Sequence, residues 1–123
     1  METRVFVLFA MTAIALPAQT FNTLFIFDST DGARPGAALV QGVDGNLYGT
    51  TRAGGAGNSG TVFKVTPSGT LTTLYSFCAQ SGCGVGVFPL AELVQATNGD
   101  FYGTTSGVLE NSPASVARSS ACR

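Results

Sequence analysis

The chain has 123 residues, with 6 Lys or Arg, 7 Asp or Glu and a formal net charge of −1. That length suits one small domain, and that charge gives no electrostatic reason to expect nucleic acid or an anionic membrane surface as a partner. There is no His, so Ser-His-Asp and Cys-His nucleophilic arrangements are excluded by inventory.

Residues 1–18 read as a secretory signal. Arg4 supplies a short positive region, residues 5–16 form an apolar run, and small residues follow with a cut expected after Ala18. The run is shorter than the roughly 20 residues needed to cross a bilayer, and no later segment is apolar enough, so no membrane span is expected after cleavage. Secretion or display at the cell surface follows.

Residues 23–27, Thr-Leu-Phe-Ile-Phe, match residues 73–77, Thr-Leu-Tyr-Ser-Phe. They are expected to form the last strand of a preceding unit. A full unit of four short strands comes next. Residues 39–41 are the first and 47–51 the second. Residues 61–66 alternate as a half-buried strand does, and 71–77 are the fourth. Turn chemistry separates them: Asp44-Gly45-Asn46 and Pro67-Ser68-Gly69 place Gly where positive φ is needed and Asp, Asn or Pro where they favour the bend. The longest loop is expected at residues 52–60.

The segment 39–51 recurs at 93–105, an offset of 54 residues with 8 of 13 positions identical. Pro35 and Pro89 share that offset. Such a period marks a repeat architecture. The expected fold is all-β, built from antiparallel four-strand units of 54 residues, propeller-blade-like and incomplete. A self-contained small sheet or sandwich is the alternative. The expected divisions are a signal at 1–18, a repeat region at 19–105 and a divergent tail at 106–123. The repeat region comprises a partial unit at 19–36, a full unit at 37–90 and a partial unit at 91–105. The tail is Ser- and Ala-rich without alternation, and is read as disordered or as sequence that has left the repeat.

Cys78 and Cys83 stand in Cys-Ala-Gln-Ser-Gly-Cys. In an oxidising compartment a local disulfide is the default, contributing roughly 2 kcal/mol through so small a loop. A metal site needs two further ligands, and only Cys122 remains. Cys122 is left over as a thiol.

The two copies of the motif, with Gly-Thr-Val-Phe-Lys-Val-Thr-Pro-Ser-Gly at 60–69 and Leu-Thr-Thr-Leu-Tyr-Ser-Phe at 71–77, closely resemble the GloVer-type tandem repeat of bacterial "choice-of-anchor" tandem repeat proteins. The resemblance covers residues 20–105. It implies an exported, surface-associated, β-rich repeat protein, with no established catalytic residues to transfer. Family members usually carry many repeats and often a C-terminal sorting segment, so a truncated or fragmentary member is expected.

Candidate chemistry is sparse. Gly55-Ala56-Gly57-Asn58-Ser59-Gly60 fits Gly-x-Gly-x-x-Gly, but a strand follows it where a dinucleotide site needs a helix N-terminus. Of the acids Asp28, Asp31, Asp44, Glu92, Asp100 and Glu110, two sit at turns, where capping the backbone explains them. Asp28, Asp31, Asp44 and Asn46 offer oxygen ligands for calcium, in a spacing that fits no EF-hand. Tyr48 and Tyr102, each before Gly-Thr-Thr, are candidate ligand-facing positions together with Asp44, or else pack between sheets with their hydroxyls bonded locally. No cofactor is expected, and the candidate partners are other repeat units or surface glycans.

The leading expectation is a non-catalytic exported β-repeat protein with a structural or surface-interaction role. The alternatives are a secreted carbohydrate- or calcium-dependent binding module and a fragment of a β-propeller enzyme.

Overall fold

The structure, a computed structural model, describes residues 13–80 and 86–107, and the backbone of 120–122. Ten short strands and no helix occur among the described residues: β1 (Ala33–Pro35), β2 (Val40–Gln41), β3 (Leu47–Ala53), β4 (Thr61–Val65), β5 (Leu71–Ser76), β6 (Val87–Pro89), β7 (Val94–Gln95), β8 (Phe101–Gly103), β9 (Thr105–Gly107) and β10 (Ser120–Cys122). Every pairing is antiparallel. The fold is all-β, as the alternating runs and turn residues imply.

The first unit is a meander in the order β1-β3-β4-β5, with β2 also paired to β3. β1 and β2 together line the same edge of β3 as one interrupted strand. Pro35 in β1 fits that edge, because a proline has no N–H to donate to a ladder and is tolerated at a sheet's margin. The β4–β5 register slips between Val62 and Phe63, so Leu74 is the extra residue of a bulge. Hairpin chemistry is uniform. Gly45 and Gly69 donate to the carbonyls of Gly42 and Thr66 at 3.0 and 2.9 Å and hold φ of 82° and 94°, which is a type I turn closed by a left-handed glycine.

The second unit repeats the first in its pairings. Ala33↔Ala53 and Pro35↔Thr51 become Val87↔Gly107 and Pro89↔Thr105, while Val40↔Tyr48 and Gln41↔Leu47 become Val94↔Tyr102 and Gln95↔Phe101. Each is displaced by the 54 residues read from the sequence. Even an uncommon backbone conformation recurs, since Arg34 and Phe88 both lie at positive φ, 57° and 58°.

Three expectations change. Residues 23–27 form no ladder; they lie across the first sheet, with Phe27 edge-on to Phe63 at 5.0 Å. Their counterpart β5 gains its ladder from β4 beside it, and no strand pairs with 23–27 among the described residues. β3 continues through Arg52 and Ala53 because β1, not foreseen as a strand, pairs with its end. The repeat register also runs past Thr105 through β9, and Ser120–Cys122 pairs with β8. An open strand edge offers N–H and C=O groups that any extended segment can satisfy, whatever its side-chain alternation. Residues 1–12, which hold Arg4 and most of the signal's apolar run, Cys83 and residues 108–119 lie outside the described residues.

The main core lies between the units. Tyr48 and Val62 from one sheet face, with Phe77, meet Leu93 and Phe101 from the second unit, and Val40 packs alongside. Behind it is a buried pair of hydroxyls: Thr51 and Thr61 are fully enclosed, their Oγ1 atoms 2.8 Å apart. Thr61 N–H donates to Thr51 Oγ1, and the carbonyls of Ala53 and Asp31 accept from the two hydroxyls, so the enclosed polar atoms keep partners.

Candidate functional site

Of the residues singled out for function, Asp44 and Tyr48 stand together at one end of the inter-unit junction, beside the turn after β2. Asp44 begins as a turn residue. Its Oδ1 accepts from Asn46 N–H at 3.1 Å and its Oδ2 from the Asn46 amide at 2.8 Å. In the second unit the carboxylate and carboxamide trade places: Asn98 Oδ1 accepts from Asp100 N–H, and its amide donates to Asp100 Oδ2 at 2.9 Å.

The two tyrosines differ as well. Tyr48 donates its hydroxyl to Asp44 Oδ2 at 2.7 Å, while its ring stacks on Phe101 at 4.1 Å and 29°. The ring is buried, so Tyr48 is placed as a packed tyrosine with a locally satisfied hydroxyl. Tyr102 is 37% exposed. Position 98 in its turn is Asn, so no carboxylate occupies the place that Asp44 holds relative to Tyr48. Asp44 itself is exposed at the rim.

The Tyr48 hydrogen bond, followed by those from Asn46, holds the Asp44 carboxyl below the ordinary carboxylate range. The same bond, followed by burial, pushes the Tyr48 hydroxyl above its ordinary 10.0. A depressed carboxylate contributes stability that is fully present above its unfolded value and is lost as pH falls through the folded value. A raised phenol contributes stability present below its unfolded value and lost as pH rises through the folded one. In Tyr48→Phe, the Asp44 midpoint followed by carboxyl-carbon NMR is expected to rise toward the ordinary range. An unchanged midpoint would show that Asn46 alone sets it.

Between the first sheet and the turn after β7 lies a cleft of about 260 Å³ lined by Tyr48, Val62, Lys64, Leu74, Gly99, Asp100 and Phe101. It offers an ammonium, a carboxylate and an aromatic floor. Two hydrogen bonds frame it, from Val43 N–H to Gln95 Oε1 at 3.0 Å and from the Gln95 amide to the Gly99 carbonyl at 3.0 Å. Lys64 and Gln95 were not singled out in the sequence; the alternation of β4 carried the only signal for Lys64.

The acids weighed for calcium serve the backbone. Asp28 Oδ1 accepts from Thr30 Oγ1 at 2.6 Å and Thr30 N–H at 2.9 Å, and these bonds lower its pKa. Among the described residues, no group of three or more His, Cys, Asp or Glu is arranged to hold a metal. Residues 55–60 form the loop between β3 and β4, in which Asn58 N–H donates to Gly55 O at 3.1 Å. No helix follows the loop, so the glycine pattern builds no pyrophosphate site.

Paired sheets with one register, displaced by a fixed number of residues and packed face to face, define a β-repeat protein. The Gloeobacter/Verrucomicrobia repeat family matches residues 7–116 of the 123, and the chain belongs to that family. No curated protein and no solved structure matches it.

Proposed function

We propose that the protein is an exported, non-catalytic β-repeat protein with a structural or surface-interaction role, its units stacked as the blades of a propeller are. The observation that carries this reading is the recurrence of the same pairings at 54 residues across a packed inter-unit face. Hydrogen bonds run along that face at three levels: Val43 to Gln95, Thr50 to the Ala91 carbonyl, and Phe88 N–H to the Ser59 carbonyl. Units joined this way present a continuous outer surface. Their turn acids are committed to caps rather than poised around a reacting bond.

Export is supported by Arg4, the apolar run at 5–16 and the small residues ending at Ala18. A disulfide at Cys78 supports pairing with Cys83 and an oxidising compartment. The test is expression of the whole precursor in a Gram-negative host, with fractionation and N-terminal sequencing. An exported product beginning at Gln19 is expected. A product retained in the cytoplasm and still beginning at Met1 would overturn the reading.

A further inference from the structure

The first unit provides a template for what the second leaves open. Phe63 in β4 pairs with Gly49 in β3. A Cβ on Gly49 would meet Phe63 Cζ and Leu39 Cδ2, each at 2.7 Å, so the glycine makes room for the ring. Phe27 closes over Phe63 with its centroid 5.0 Å away. Phe63 is thus seated among Gly49, Leu39 and Phe27.

The counterparts of those three residues are Gly103 and Leu93 in the second unit and Phe77, which follows the first unit's last strand as residues 23–27 precede the first unit. All three line one cleft of about 130 Å³ between the units. The residue paired with Gly103 is Ser120, a side chain type with no ring. A Cβ on Gly103 would meet Leu93 Cδ2 at 2.7 Å; among the described residues no aromatic atom stands beside it as Phe63 stands beside Gly49. Among the described residues, the second unit has the seat of the first without a ring in it.

We propose that this cleft binds one neutral aromatic ring carried by a small molecule of the phenol or benzyl type. Its volume is close to that of the roughly 150 Å³ apolar cavity that takes up benzene. Tyr75, Phe77 and Phe101 surround it with rings that can meet a guest edge-on or offset. Thr50 and Thr104 bring hydroxyls suited to one polar substituent. A sugar would leave most of its hydroxyls unpaired against such walls, and a charged substituent would lose hydration without an ion to replace it.

The test is an amide NMR titration of the full chain with p-cresol, with cyclohexanol and benzoate as controls. Saturable shifts at Gly103 and Thr104 are expected, with half-saturation at about 1 mM, as suits a fragment-sized guest. Gly103→Ala narrows the space against Leu93 and should weaken binding at least tenfold. Thr104→Val removes a lining hydroxyl at nearly constant volume; it should weaken binding of p-cresol severalfold and keeps the test intact should Gly103→Ala fail to fold. The proposal is overturned by absent saturation, by an equal response to cyclohexanol, or by undiminished binding in Gly103→Ala. Binding confined to a Phe-bearing strand peptide would overturn it as well, in favour of a polypeptide partner.

Discussion

Phe101→Ala is expected to cost about 3–5 kcal/mol, the range for deleting a buried aromatic side chain. Phe101 is 7% exposed, stacks on Tyr48, and is one of two buried side chains that the second unit contributes to the inter-unit core. Small domains have total stabilities of only about 5–15 kcal/mol, so the loss is a large share of the whole. It should also be uneven. β3, β4 and β5 keep their own ladder, whereas β7 pairs with β8 over only two residues and β8 with β10 over three, so both depend more on the packed face. Native-state hydrogen exchange should therefore show amides of the second unit losing protection first, with β4 the last to open. Uniform loss of protection would mean that the two units fold only as one.

Gly60→Ala is expected to cost about 3 kcal/mol, the upper end of what a strained backbone position carries. Gly60 lies at φ 103°, and a Cβ there would press on the Thr51 carbonyl oxygen and meet Pro89 Cδ at 2.7 Å. Relief by movement is blocked from both sides, since Gly60 N–H donates to Gly54 O at 3.1 Å and its carbonyl accepts from Phe77 N–H at 2.9 Å. Pro89 belongs to the second unit, so one added methyl strains a turn and wedges the junction. Gly36→Ala is the control, because a Cβ there meets nothing within 4 Å. Urea unfolding of both variants measures the difference; equal midpoints would refute the argument.

The sequence made legible whatever rests on local chemistry. The strand-forming runs at β3, β4 and β5 have β-branched and aromatic residues between Gly-bearing turns, and local preference and final structure agree there. The 54-residue register was legible because identical residues marked it. β1 and β6 were not, because Ala-Arg-Pro and Val-Phe-Pro each hold a proline and a residue at positive φ, so only the neighbouring ladder makes them strands. Residues 23–27 misled for the opposite reason: their composition is that of a strand, but a strand needs a partner edge. The candidate site was legible as chemistry and not as geometry. The turn around Asp44 was foreseen, whereas the burial of Tyr48 depends on Phe101 arriving from another unit, 53 positions further along the chain.

The exchange of Asp44 and Asn46 for Asn98 and Asp100 has an evolutionary consequence. Each turn uses one carboxylate and one carboxamide as mutual donor and acceptor, so selection on the turn alone does not distinguish the two orders. Selection on the tyrosine four positions on does, because the Asp-first order sets a carboxylate against the Tyr48 hydroxyl and the Asn-first order sets an amide at that place.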